Sequence, residues 1–193
     1  MIDGLDHGGR VRIGADGLAA GVPFIASPNC DERPAGARVE LIVIHAISLP
    51  PGEFGGPGIE QLLLYRLDPS AHPYYADIAG MRVSAHFLVQ RNGAITQFVP
   101  CTKRAWHAGE SSWRGRSRCN DFSIGIELEG TDERPFESAQ YESLADLTRA
   151  LTLAYAISGV VGHSDVAPGR KTDPGPHFEW SRFRALAGLN VPD

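Results

Sequence analysis

The chain predicts an α/β (α+β) fold, a central mixed β-sheet flanked by helices, and three observations carry that prediction. VELIVIHAI, residues 39–47, is a short β-branched apolar run of the kind a strand covered on both faces requires. FSIGIELEG, residues 122–130, alternates Ile124, Ile126 and Leu128 against Gly125, Glu127 and Glu129, the period of a strand with one apolar face. Tyr141, Leu144, Leu147 or Thr148, Leu151 and Tyr155 recur at spacings of three and four, which describes a core-facing helix. At 193 residues the chain is the size of one domain and could bury roughly 70% of its unfolded surface.

The remaining elements follow in order. The first ~38 residues mix Gly, Pro and charge without a sustained period and read as an extended arm packed on the domain, with at most a short strand or turn. After the 39–47 strand, SLPPGEFGGPG must be loop, because Pro removes backbone donors and Gly costs conformational entropy. IEQLLLYRL predicts a short helix, and a Pro-interrupted stretch to Gly80 has the character of a flap. VSAHFLVQ, RNGA and ITQFVP predict a hairpin, with Asn92-Gly93 supplying a primed two-residue turn. Ser138 is the expected N-cap of the long helix. GVVGH predicts a strand ending at His163 and DVAPGRKTDPGP a loop, and Trp180, Phe183 and Leu186 mark a last helix.

Composition narrows the function. The 22 Gly and 14 Pro residues, about 19% of the chain against an average near 12%, call for long shaped loops. A net charge of -5 argues against nucleic-acid binding, which needs a basic surface. Cys30, Cys101 and Cys119 are odd in number and far apart, so they read as free thiols and not as a disulfide frame or metal knuckle. No apolar run approaches a membrane span, and MIDGLDHGGRVRIG lacks a signal-peptide core, so the expectation is a cytoplasmic monomer with no membrane partner.

Of seven histidines, only His45 and His163 directly follow β-rich apolar runs, where side chains of neighbouring strands converge. Ten residues beyond His163, Asp173 sits in a Pro/Gly-stiffened loop able to fold back over the strand ends. The three would leave one position open on a zinc ion, as hydrolytic zinc sites do. Asp before Pro is equally common as a turn residue, so spacing alone leaves both readings open.

HAISLPPGEFGGPG, VSAHFLVQRNG, KRAWHAG, RCNDFSIGIELEGTD and GHSDVAPGRKTDPGP occur in this order, and each resembles a segment of the amidase_2 and peptidoglycan-recognition superfamily. The resemblance runs from about residue 38 to residue 186; before that it is loose, around SPN and DERP. It implies one amidase domain over 1–193, an arm over 1–38 and a core over 39–186, with one zinc in a groove at the sheet edge held by His45, His163 and Asp173. The implied reaction is hydrolysis of the amide between 1,6-anhydro-N-acetylmuramic acid and the L-alanine of the stem peptide, in peptidoglycan recycling. The substrate partner is then an anhydro-muropeptide.

The resemblance also implies that Glu127 and Lys171 assist the chemistry. Glu127 lies opposite the apolar face of its strand, so it could shuttle a proton, whereas a solvated carboxylate like Glu129 is the plainer reading. Lys171 could stabilise an oxyanion from the Asp173 loop; a surface lysine is the plainer reading there. Trp106 and His107 suit the wall of a sugar groove, with a buried core the alternative for Trp106, and His86 and His107 could instead support the ligands from behind or be structural. Arg82 and Arg118 look like anchors for stem-peptide carboxylates. Related enzymes carry Asn after the first ligand where this chain has Ala46, which removes an amide contact worth about 0.5–1.5 kcal/mol. Two rivals share the fold: a non-catalytic peptidoglycan-recognition module, which usually lacks part of the zinc set, and an amidase acting on intact cell wall.

Overall fold

The computed structural model describes residues 11–189; the first ten residues of the expected arm and residues 190–193 lie outside that range. In chain order the strands are β1 (Arg12–Ile13), β2 (Ala19–Ala20), β3 (Cys30–Glu32), β4 (Leu41–Ile47), β5 (Phe87–Val89), β6 (Ile95–Gln97), β7 (Lys103–Ala105), β8 (Ser112–Trp113), β9 (Arg116–Ser117), β10 (Ser123–Glu129) and β11 (Gly159–Gly162). The helices are α1 (Gly58–Leu63), α2 (Pro73–Ile78), α3 (Ser138–Ala154), α4 (His163–Val166) and α5 (Trp180–Ala187), with a 3-10 turn at Cys119–Asp121.

Five strands form the central sheet in the order β11-β4-β10-β5-β6; the first four are parallel and β6 closes the edge antiparallel to β5. The mixed sheet of the sequence reading is therefore present. Ile42 and Ile44 of β4 and Ile124, Ile126 and Leu128 of β10 pack on one face against Tyr141, Leu144, Leu147 and Leu151 of α3 and Phe183 and Ala187 of α5. Fully burying each such side chain contributes roughly 1.5–3 kcal/mol. The opposite face is divided. Leu88 lies under Ile59, Leu62 and Leu63 of α1 at one side. Leu41 and Val43 lie under Ala108, Cys119, Phe122 and Val166 at the other.

Several local expectations are corrected. Glu137, not Ser138, caps α3: the Glu137 side chain accepts from the third-residue backbone, and Gln140 Oε1 accepts from Glu137 N–H at 3.0 Å. Ser138 Oγ instead accepts from Arg182 Nη2 at 2.7 Å. The hairpin turn has three residues. Gly93 alone is left-handed, at φ 84°, with Gly93 N–H donating to Gln90 O and Gln90 N–H to Ala94 O, so a type I turn with a bulge replaces the primed turn. The last helix forms where Trp180, Phe183 and Leu186 mark it, with Phe183 and Ala187 buried and Leu186 exposed. Within the arm, β1 pairs with β2, β3 with β7, and Phe24 bridges to Gln97, so the described part is tied to the sheet's edge. The three cysteines are free thiols.

Candidate metal centre and substrate groove

Parallel register sets His45 of β4 directly beside Glu127 of β10. Because Ile44 and Ile126 face α3, their neighbours His45 and Glu127 both project to the opposite face, between its two apolar clusters. β11 runs parallel to β4 on the other side and delivers His163, the first residue of α4, to the same end of the sheet. The loop after α4 turns back, with Ser164 N–H donating to Asp173 O at 2.9 Å, which brings the Asp173 side chain over the two rings. His45 Nδ1, His163 Nδ1 and Asp173 Oδ2 then form a triangle with edges of 3.0, 3.1 and 3.3 Å.

The donor chemistry of that triangle fits a metal ion. His163 Nε2 faces the Ala108 carbonyl at 3.2 Å; a carbonyl only accepts, so the ring proton sits on Nε2 and the Nδ1 lone pair faces the centre. That lone pair meets a carboxylate oxygen at 3.1 Å, a contact between two acceptors that a shared cation makes favourable. Donor atoms 2.0–2.2 Å from a tetrahedral zinc stand about 3.3–3.5 Å apart, close to the observed edges. Among the described residues these three are the one group of this kind able to hold a metal. Burial pushes the His45 pKa down to about 4, which keeps its imidazole neutral and available as a ligand.

Glu127 differs from its strand neighbour. Glu129, read from the sequence as solvated, is only 3% exposed and accepts from Gly55 N–H at 2.5 Å and Arg91 N–H at 3.1 Å, tying the 48–58 loop and the hairpin to the sheet. Glu127 Oε2 is buried with no hydrogen-bond partner among the described residues. Burial, reinforced by the Asp173 charge and opposed by Lys171, pushes its pKa up to about 8. Lys171 is exposed and near enough that its charge acts on both Glu127 and His45.

Of the remaining predicted residues, Trp106 is half-buried, and its indole N–H donates to Asp31 Oδ1 at 3.2 Å. Asp31 also takes a two-pronged bond from Arg104, whose Nη1 reaches Asp121 Oδ1 at 2.5 Å. Arg118 joins this network through Asp121 Oδ2 at 3.2 Å. Trp106 and Arg118 thus belong to one chain of contacts, whereas Arg82 stands apart, exposed, with its guanidinium 5.5 Å from the Tyr65 ring centre. His107 turns toward the centre, with Nδ1 2.9 Å from His45 Nε2, where it can support that ring. Ala46 packs toward the α3 face, away from His45.

Sequence reasoning missed two supports. Arg33 is largely buried and donates to the carbonyls of Cys101, Asn120, Asp121 and Ser123. Asp31 holds Trp106. Both lie in the arm's CDERP stretch, where no periodicity marks them.

Residues 35–176 match the family model Amidase_2, N-acetylmuramoyl-L-alanine amidase. A curated relative from Salmonella typhimurium (strain SL1344), 1,6-anhydro-N-acetylmuramyl-L-alanine amidase AmpD, is 57% identical over 168 residues, covering 86% of this chain and 90% of the relative. The AmpD of Escherichia coli (strain K12) is 56% identical over 172 residues, covering 88% of this chain and 94% of its own. A selenomethionine AmpD crystal structure superposes with a TM-score of 0.87 at 57% identity, over 89% of this chain and 97% of that one. The Escherichia coli amidase AmiD, solved with the substrate anhydro-N-acetylmuramic acid-L-Ala-D-γ-Glu-L-Lys, matches with a TM-score of 0.59 at 34% identity, over 84% of this chain and 63% of that one.

Proposed function

The chain belongs to the Amidase_2 family of N-acetylmuramoyl-L-alanine amidases, and from that membership we propose that it hydrolyses the amide between the lactyl group of 1,6-anhydro-N-acetylmuramic acid and L-alanine, with one zinc held by His45, His163 and Asp173. The observation that carries the reading is the pairing of a convergent His, His, Asp triangle with a buried carboxylate whose Oε2 has no partner. A recognition module would need neither. When bound, the zinc supplies a Lewis acid that polarises the scissile carbonyl and makes a water acidic near neutral pH.

The protein's own groups divide the remaining work. Glu127 Oε2 has no competing donor among the described residues, so it takes a proton from the water that adds to the lactyl carbonyl. Protonated in this way, Glu127 returns that proton to the alanine nitrogen as the C–N bond breaks. Lys171 faces the charge that develops on the carbonyl oxygen. The Trp106 indole, fixed edge-on by Asp31, packs on the sugar, and Arg118 and Arg82 meet the carboxylates of the stem peptide.

Among the described residues no helix is long and apolar enough to cross a membrane. The recycling role belongs to a cytoplasmic monomer made of one amidase domain, with the 1–38 arm shaping the groove through Asp31. Mass spectrometry of products from anhydro-muropeptide and from intact cell wall, with and without a zinc chelator, tests the proposal. The expected result is release of free stem peptide from the anhydro-muropeptide, abolished by chelation and restored by zinc. Equal cleavage of intact wall points to the wall-acting alternative, and no cleavage of either to the recognition module.

A further inference from the structure

Both candidate metal-ligating rings lean on one dipeptide. His45 Nε2 meets His107 Nδ1 at 2.9 Å, and His163 Nε2 donates to the carbonyl of the next residue, Ala108, at 3.2 Å. The backbone N–H groups of His107 and Ala108 both donate to a single acceptor, Asn120 Oδ1, at 3.2 and 2.8 Å. On its far side, His107 Nε2 lies 3.1 Å from Ser123 Oγ on β10. Space for the ring comes from Gly125, where a Cβ would stand 2.4 Å from His107 Cγ.

We propose that His107 is a positioning residue for the metal: it accepts the Nε2 proton of His45, Ser123 receives its own, and Asn120 holds the dipeptide that fixes both histidine ligands in the form whose Nδ1 is free. The inference rests on the metal reading above. The carbonyl of Ala108 settles the tautomer of His163 whatever else happens, because it can only accept. His45 has no carbonyl. Its other ring nitrogen faces an imidazole, and an imidazole nitrogen accepts only when the proton is on its far side. Ser123 Oγ, standing at that far side, supplies the acceptor that keeps the proton there. A proton placed the other way would put an N–H of His45 into the centre of the triangle and block the metal. The groups around His107 are His45, Ser123, His163, Arg33 and, at a ring separation of 5.9 Å, His86, so among these described neighbours no carboxylate competes for its Nδ1.

Zinc affinity, measured by competition with a chelating dye, and thermal unfolding with and without zinc test this on the full chain. His107→Phe fills the same space above Gly125 without an acceptor, so its zinc affinity should fall about 10- to 100-fold. The zinc-induced rise in Tm should shrink, while the metal-free Tm stays near wild type. His107→Asn places an amide oxygen close to where Nδ1 stood and should keep affinity within about threefold. If His107→Phe does not fold, Ser123→Ala decides: losing only the far acceptor should weaken zinc about threefold to tenfold. Wild-type zinc affinity in the Phe or Ala variants overturns the proposal, as does an Asn variant as weak as Phe. A wild-type protein that binds no zinc overturns the metal reading itself.

Discussion

The two faces of β4 and β10 are built from alternating residues of the same strands, yet they obey different rules. Toward α3 and α5, Ile42, Ile44, Ile124, Ile126 and Leu128 pack in one continuous apolar cluster, where shape complementarity is the main requirement. On the other face, His45, Ser123, Gly125 and Glu127 sit in the same two strands, and every polar atom has to find a partner or be left costly. The difference teaches where stability and chemistry are kept apart in this fold. The helix face holds the sheet together; the opposite face spends part of that stability on a buried carboxylate and a triangle of lone pairs.

Substitutions on the two faces should therefore separate activity from stability. The largest effect belongs to His45→Ala, which should abolish turnover and zinc-dependent stabilisation together; assays and thermal scans with and without zinc check both. Glu127→Gln comes next, with kcat reduced about 10²- to 10⁴-fold and zinc content near wild type. The same variant makes a prediction of opposite sign for stability. In metal-depleted protein the folded Glu127 pKa of about 8 exceeds its ordinary 4.5, so the folded state holds the extra proton between those values. Stability should fall as pH rises through that window in wild type, and the slope should flatten in Glu127→Gln; denaturation midpoints across pH 5–8 read it out. Lys171→Met should lower kcat about 10²- to 10³-fold, again without loss of zinc.

On the helix face, Leu144→Ala should cost about 2–5 kcal/mol in urea unfolding while kcat per folded molecule stays within about twofold. A comparable loss of kcat would mean that the faces are coupled. The smallest change is expected from Arg118→Ala and Arg82→Ala, which should raise KM for peptide-bearing substrate about tenfold with kcat nearly constant. Equal falls in kcat and kcat/KM would move these arginines into the reacting centre.

Much of this was legible in the sequence, for definite reasons. The helix face announces itself through period, so β4, β10 and α3 could be placed from Ile, Val and Leu spacing alone. His45 and His163 were legible because one lies near the carboxyl end of an apolar strand and the other directly after one, and the Pro/Gly loop around Asp173 limited where it could go. The outer partners were not. His107 could be read as a groove-wall residue, as a support behind the ligands or as a structural histidine, and its inward turn depends on the side chain that Gly125 lacks, on a strand that begins 16 residues after it. Burial of Glu129 likewise depends on Gly55 and Arg91, which arrive from other loops. The Glu137 cap is local but uncommon, since Ser is the more frequent capping residue.

The central claim is that the polar face is a zinc hydrolase centre made by three residues. Elemental analysis of purified protein alongside turnover of anhydro-muropeptide tests it most directly: one zinc per chain, removed together with activity by a chelator, and absent from Asp173→Ala, is the predicted result. Full turnover by protein shown to contain no metal would contradict it.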